Sequence, residues 1–198
     1  ANSASMTKLG LGSLTLTANN TFAGNTTVTG GTLRLGSIAQ FGSGAYAGAI
    51  SLASGSTLQF SSSANQNFSG VISGSGNVFK DTANSALTLT GSNTYTGLTR
   101  ISVGVLNVGA GGTTGSLVSD VLNNALLVFD RSNDYIYSGS ILGSGAVSKQ
   151  GIGVLSLTGT NTYGGDTTVT AGTLKLDGTA QLSSGAYGGA INIASGTT

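Results

Sequence analysis

The chain has 198 residues, and its composition excludes several classes of protein. Charged residues make up 7% of it and the net charge is +1, which leaves no basic surface for nucleic acid or for an anionic membrane. Cysteine and histidine are absent, which removes disulfides, thiolate metal sites and the commonest general base. We therefore expect no catalytic residue, no metal site, no cofactor and no enzymatic activity.

The first predicted elements are short strands. Apolar and polar residues alternate over 14–17 and again over 32–35, as in strands that bury one face. Glycine, asparagine and serine separate such segments along the whole chain, and proline is absent. No apolar run is long enough for a membrane helix. The first residues lack the features of a signal peptide, so we expect any export signal to lie upstream.

Further along, one segment recurs three times. It reads LTLTANNTFAGNTTVTGGTLRLG at 14–36, LTLTGSNTYTGLTRISVGVLNVG at 87–109 and LSLTGTNTYGGDTTVTAGTLKLDG at 155–178. The connecting segments recur in step with it, which gives a period of about 70 residues. The sequence therefore predicts one continuous segment over 1–198 with internal repeats at 8–79, 80–148 and, in part, 149–198.

A shorter rhythm runs inside the repeats. Apolar residues recur at intervals of about 20 to 22 positions, as in Val28, Ile50 and Ile72. Short strands joined by sharp corners at this spacing predict an all-β solenoid with parallel strands, of about nine coils at about 20–22 residues each. Each long repeat should then occupy about three coils.

The third copy resembles the autotransporter passenger-associated strand repeat. The positions that carry the resemblance are Lys149, Gly151, Gly153, Leu155, Leu157, Gly159, Asn161, Tyr163, Gly165, Thr167, Val169, Gly172, Leu174 and Leu176. The first copy matches with Ala18 and Phe22 as its main substitutions. The second departs most, with one extra residue and no early glycines in KDTANSALTLT (80–90).

The resemblance implies a right-handed parallel β-helix in the passenger region of a Gram-negative surface protein, a class commonly secreted through an outer-membrane barrel. It implies an extracellular location at the bacterial surface and a structural or adhesive role linked to virulence. Partners would be host or matrix surface molecules or glycans. This segment itself would bind no nucleic acid and would not insert into the membrane.

The corners Asn20–Phe22, Asn93–Tyr95 and Asn161–Tyr163 admit two interpretations. An aromatic at a strand corner is able to stack on a sugar, or it packs over the core while the asparagine bonds the local backbone. We favour the second, because Phe22 lacks the tyrosine hydroxyl. Direct binding through exposed tyrosines stays an alternative, with the candidates Tyr46, Tyr135, Tyr137 and Tyr187.

The carboxylates form no repeated acid cluster. They are Asp81, Asp120, Asp130, Asp134, Asp166 and Asp177. A polysaccharide-cleaving enzyme needs acids at a defined separation, so the 130–134 segment is the best candidate, although a solvated corner loop is the simpler interpretation. The Gly-Gly-Asp at 164–166 is only a fragment of a calcium-binding repeat.

Two further patterns are weaker. The Thr-x-Thr pairs at 15/17, 27/29 and 88/90 are compatible with an ice-binding ladder, but Arg34 and Gln59 interrupt it. The repeat-start lysines Lys8, Lys80 and Lys149 are expected to point into solvent. The leading hypothesis is a rigid β-helical stalk that presents or forms adhesive surfaces. A self-associating extracellular filament is the alternative, ahead of an enzyme or an ice-binding solenoid.

Overall fold

The computed structural model describes residues 3–178, 180–182 and 187–198, and this part of the chain is built from short strands. The strands are β1 Met6–Lys8, β2 Ser13–Leu16, β3 Asn19–Asn20, β4 Thr26–Val28, β5 Thr32–Ser37, β6 Gln40–Phe41, β7 Ala45–Tyr46, β8 Ile50–Leu52, β9 Thr57–Ser62, β10 Gln66–Phe68, β11 Ile72–Gly74, β12 Asn77–Leu89, β13 Thr99–Val108, β14 Val121–Asn123, β15 Leu126–Phe129, β16 Tyr135–Tyr137, β17 Ile141–Leu142, β18 Ala146–Lys149, β19 Val154–Leu157, β20 Thr167–Val169, β21 Thr173–Leu176 and β22 Ile191–Ile193. A 3-10 turn, Gly42–Gly44, lies between β6 and β7. Within the described ranges no helix is long and apolar enough to cross a membrane.

The strands stack as coils, and every pairing found among the described strands is parallel. One sheet has the order β1-β4-β8-β11, and a second has the main order β2-β5-β9-β12-β13-β15-β18-β20-β22. A third sheet stacks β16-β19-β21 and a fourth pairs β3 with β6. Partners are about 20 residues apart, which is the length of one coil. The all-β prediction of a parallel β-solenoid with about nine coils is confirmed.

The core fills the inside of the coils with one apolar column per strand position. The column Leu33, Leu58 and Val78 shows this, because all three lie at inward positions of paired strands and are at most 1% exposed. Outward positions of the same strands carry mostly Thr, Ser, Asn or a charge. Backbone hydrogen bonds between coils satisfy the peptide groups, so the fold does not depend on side-chain charge.

A repeat is longer than three whole coils. Lys8, Val28, Leu52 and Gly74 stack in one column, so three coils lead from residue 8 to residue 74. Lys80, the start of the second repeat, comes six residues later and stacks in the next column, against Phe60. Successive copies therefore begin on successive faces of the solenoid, which the prediction of three coils per repeat did not include.

Candidate functional site

The corner asparagines Asn93 and Asn161 are buried and join neighbouring coils. The Asn93 Oδ1 accepts a hydrogen bond of 2.9 Å from the Ile72 N–H, and its Nδ2 donates to the carbonyl of Gly91 at 3.1 Å. Asn161 makes the same two bonds, to the N–H of the residue 20 positions earlier and to the carbonyl two positions earlier. Both side chains are at most 1% exposed. They fix the corner and present nothing to a ligand.

The aromatic residues at these two corners point into the core. Tyr95 and Tyr163 are fully buried, and each hydroxyl lies 2.7 Å from a threonine Oγ1, that of Thr99 or of Thr167. Burial raises the pKa of both tyrosines to about 12. A sugar cannot stack on rings in this position, so the interpretation of the corner as structural is the one that the geometry supports.

The first copy has Phe22, which lacks a hydroxyl, at this corner. A tyrosine from the next coil supplies the hydroxyl. Thr26 occupies the position of Thr99 and Thr167, and its Oγ1 lies 2.8 Å from the hydroxyl of Tyr46. The Phe22 ring packs against Phe41 and Tyr46, with centroid separations of 4.9 and 5.7 Å. The threonine is therefore the constant member of this small network, and in the third repeat both Tyr163 and Tyr187 reach it.

The four tyrosines considered as an alternative binding surface are not exposed in the structure. Tyr46 and Tyr137 are fully buried, and Tyr135 and Tyr187 are partly buried. The Tyr137 hydroxyl donates to the Ser119 carbonyl at 2.6 Å. This alternative loses its support because Tyr46 and Tyr137 are buried in the core and Tyr135 and Tyr187 are partly buried.

Three aspartates bond backbone N–H groups of the following coil. The Oδ1 atoms of Asp120, Asp134 and Asp166 accept from the N–H groups 20, 20 and 24 residues later, at 2.7, 2.9 and 2.8 Å. Asn25 and Asn77 make the same kind of bond without a charge. These carboxylates therefore act as corner caps.

The 130–134 segment is a corner loop that the Arg131 side chain holds in place. The Arg131 guanidinium donates to the carbonyls of Gly115 and Thr113 and stacks 4.6 Å from the centroid of the Tyr135 ring. No group of three or more acidic side chains able to hold a metal ion occurs among the described residues. Asp166, the acid of the Gly-Gly-Asp fragment, caps the neighbouring coil as described above.

The threonine pairs do not form a continuous ladder. Thr15 stacks on Arg34, and Thr88 stacks between Asn67 and Asn107. A hydroxyl column exists on the β1-β4-β8-β11 sheet, where Thr7, Thr27, Ser51 and Ser73 are in register. The second repeat has Phe79 where the first has Thr7, so the column is not repeated there.

The three lysines at the repeat starts are buried, which contradicts the expectation that they point into solvent. Lys8, Lys80 and Lys149 are 6%, 1% and 2% exposed. They occupy inward positions of β1, β12 and β18, in register with apolar residues of the neighbouring strands. The alternation contained this signal, because Lys80 is two positions after the inward Val78.

Backbone carbonyls surround these ammonium groups. Lys8 Nζ donates to the carbonyls of Leu9, Gly10 and Gly30 at 2.9, 2.7 and 3.1 Å. Lys149 donates to Gly151 and Ala171. Each lysine thus satisfies carbonyls at the corner that follows its strand, which is a structural use of a buried charge.

Lys80 makes the fewest hydrogen bonds to carbonyls of the three lysines within the described residues. Its Nζ donates to the Thr82 carbonyl and lies 5.8 Å from the centroid of the Phe60 ring. Burial lowers the pKa of Lys80 from 10.5 to about 8, although the nearby Asp81 opposes this shift. Burial also lowers the pKa of Lys149, which Asp130 and Asp134 oppose.

A cleft lies beside Lys80, at the one place where β12 and β13 lose their regular pairing. The register shifts twice between Lys80 and Ala86, and Asn84 has a φ of 60°. The cleft measures about 400 Å³ and is lined by Asn65, Asn84, Ser85, Ala86, Gly104 and Val105. Sequence reasoning noted the extra residue here but did not predict a cavity.

These observations define a parallel β-solenoid built from a repeated corner, in which most candidate site residues hold the coils together. The family model described as Passenger-associated-transport-repeat matches residues 6–35, 85–108 and 147–176, so three segments of the chain are similar to this repeat. The matched segments carry Lys8, Lys149 and the corner asparagines with their following strands, whereas Lys80 lies just before the second match.

One relative supports the same conclusion. Over 88 residues, or 44% of this chain, the sequence is 40% identical to the Adhesin BmaC autotransporter of Brucella suis biovar 1 (strain 1330). The match covers 3% of that protein, so this chain spans a small part of the relative's length. No solved structure matches the chain significantly.

Proposed function

We propose that this chain is a rigid structural segment of a passenger at the bacterial cell surface, where it supports or forms adhesive surfaces. The observation that carries the proposal is the combination of three passenger repeats with one parallel stack of coils. Each coil pairs with the coils above and below through the backbone, so the stack resists bending as a unit. Such a rod holds other parts of a protein away from the surface that anchors it.

The same residues argue against a catalytic role. Asp120, Asp134 and Asp166 are used as corner caps, and Asn93 and Asn161 are buried as bridges between coils. Glycoside hydrolysis needs two carboxyl groups facing one bond at a separation of about 5–10 Å. A non-enzymatic role is therefore part of the proposal.

Small-angle X-ray scattering of the purified chain tests the rod. About nine coils at about 4.8 Å each predict a rod about 40 Å long. The scattering curve should fit an elongated particle of this length. A spherical particle or an extended coil would contradict the rod. Release of reducing sugars from a panel of bacterial and host polysaccharides would contradict the non-enzymatic role.

Self-association is a second candidate, favoured by one outward column. Phe79, Arg100, Leu122 and Leu142 stack in register on the outer face. In the third repeat the corresponding column carries Ser148, Thr168 and Asn192. Phe79, Leu122 and Leu142 are half-buried, and a contiguous apolar stripe of this kind is a typical contact surface between proteins.

Light scattering tests this second candidate. The triple variant Phe79→Ser, Leu122→Ser and Leu142→Ser introduces a residue type that other repeats carry in this column. If copies associate through the stripe, the wild-type chain should grow in mass with concentration and the variant should stay monomeric. A wild-type chain that is monomeric at all concentrations would exclude this candidate.

A further inference from the structure

The cleft beside Lys80 is specific to the second repeat. In the first and third repeats, glycine-containing segments, LGLGS and QGIGV, follow the lysine, whereas the second has DTANSA. This segment displaces the pairing of β12 and β13 and holds Asn84 in a left-handed conformation. Bulges and non-glycine residues with positive φ are concentrated at functional sites in proteins.

The walls of the cleft are rich in hydrogen-bonding groups. Asn65 uses its Oδ1 to accept from the Ala86 N–H, which leaves its Nδ2 as a donor. Asn84 stands on the displaced segment and contributes a second amide to the lining. The lining has no aromatic side chain and Val105 is its only large apolar one. A ligand with many hydroxyl groups suits this surface better than an apolar ligand does.

A cation lies directly behind the cleft. A Cβ atom placed on Gly104, which lines the cleft, would come within 2.7 Å of Lys80 Nζ. Gly104 therefore lies directly against the ammonium, together with the carbonyl oxygens of Thr82 and Ser85. One hydrogen bond to a carbonyl, from Nζ to Thr82, is found for Lys80 in the described residues, compared with three for Lys8. Among the three buried lysines it therefore has the fewest hydrogen bonds to carbonyls.

We propose that this cleft binds a carboxylate-bearing sugar, such as a uronic acid residue of an acidic glycan. The asparagine amides hydrogen-bond the ring hydroxyls, and the carboxylate lies over Gly104 in the field of Lys80. The inference extends the adhesive part of the proposed function by naming a ligand class. The rod is tested by its shape, so the two proposals can fail separately.

The charges around Lys80 are compatible with an anionic ligand. Asp81, on the same strand, is bonded to Gln59, whose Nε2 lies 2.5 Å from Oδ2. Arg100, on β13, is exposed and stacks 5.9 Å from the centroid of the Phe79 ring. The strand β9 on the other side carries no charged residue. Lys80 and the bonded carboxylate of Asp81 are therefore the charges next to the displaced segment, and Arg100 lies four residues before Gly104 on β13.

Amide chemical shifts of the full 198-residue chain test the site with glucuronate and glucose as matched probes. Glucuronate should shift the signals of Asn84, Gly104 and Val105 with a dissociation constant in the millimolar range. Glucose, which lacks the carboxylate, should shift them at least fivefold less at equal concentration. The pKa of Lys80 should rise in the glucuronate complex, because a nearby anion favours the ammonium form.

Two lysine variants provide the matched control. Lys80→Met and Lys149→Met both remove a buried ammonium, but only Lys80 lies behind the cleft. The first should weaken glucuronate binding at least fivefold and the second less than twofold. Asn84→Gly, which keeps the positive φ but removes the amide, should weaken it about threefold. These losses follow from removing one charge or one hydrogen-bonding group.

Three outcomes would overturn the inference. One is the absence of glucuronate-induced shifts at about 50 mM, a concentration well above the expected millimolar dissociation constant. Another is an equal loss in both lysine variants, which would indicate a general effect on the fold. The third is binding of acetate as tight as that of glucuronate, which would remove the sugar from the proposal.

Discussion

The carboxylate of Asp166 accepts a hydrogen bond of 2.8 Å from the backbone N–H of Ala190, one coil further along the solenoid. In the first repeat, Asn25 makes the same bond to Ala49 at 3.0 Å. An acid and an amide thus do the same work at equivalent corners. The charge is therefore incidental in the first and third repeats, and the second repeat has Leu98 at this position.

Replacing Asp166 tests this equivalence. Asp166→Asn should change the free energy of unfolding by less than about 0.5 kcal/mol, because the acceptor is retained. Asp166→Ala should cost about 1 kcal/mol, the typical net value of one hydrogen bond. Urea unfolding at neutral pH measures both. Equal losses in the two variants would show that the carboxylate itself matters.

The corner asparagines should be far less tolerant. Asn161→Leu leaves the Ile141 N–H and the Gly159 carbonyl without partners inside the protein, and each buried unsatisfied group costs about 1–3 kcal/mol. We expect a loss of about 2–4 kcal/mol in urea unfolding. Thr160→Leu, at an exposed neighbouring position, is the control. A loss no greater than in this control would contradict the bridging role.

The coil architecture could be predicted because its signals are local and repeated. Period-two alternation, turn residues and the interval from Val28 to Ile50 and Ile72 together specify short parallel strands in coils. The resemblance in 149–176 then identified the passenger repeat, which the family comparison confirmed. Each of these signals is independent of how distant side chains pack.

The prediction failed where polar groups sit at inward positions. Lys80 was assigned to the surface by residue type, although the alternation placed it on the inward face, two positions after Val78. The buried lysines donate hydrogen bonds to corner carbonyls, and the positions of those carbonyls depend on the coil geometry. The cleft could not be predicted from the sequence either, because it arises from two register shifts between strands about 20 residues apart.

The hydroxyl network at the second corner gives a further prediction. The Tyr95 hydroxyl contacts Thr99, which also lies 2.8 Å from Ser119 Oγ. Tyr95→Phe should therefore cost about 1 kcal/mol, since Thr99 keeps one partner. Tyr95→Ala should cost about 3–5 kcal/mol through the cavity it leaves. Thermal and urea unfolding of both variants separate the hydroxyl from the ring, and a Phe variant as unstable as the Ala variant would contradict this division.

The buried lysines and tyrosines predict an unusual pH dependence of stability. Burial lowers the pKa of Lys80 from 10.5 to about 8, so between pH 8 and pH 10.5 the unfolded chain binds more protons than the folded chain. Stability should therefore rise with pH in this range. Lys149 contributes in the same direction.

The tyrosines have the opposite effect at higher pH. Burial raises the pKa of Tyr95 and Tyr163 from 10.0 to about 12, so above pH 10 the folded chain holds protons that the unfolded chain has lost. Stability should then fall as the pH rises towards 12. The two effects together place the maximum of stability near pH 10, well above neutrality.

Urea midpoints between pH 7.5 and pH 11.5 measure this profile. The wild-type chain should gain stability up to about pH 10 and lose it above that value. Lys80→Met should flatten the rising limb without changing the falling limb, because it removes one lysine and leaves the tyrosines in place. A wild-type profile that only falls from pH 7.5 upwards would show that the ammonium groups are better solvated in the folded chain than their burial indicates.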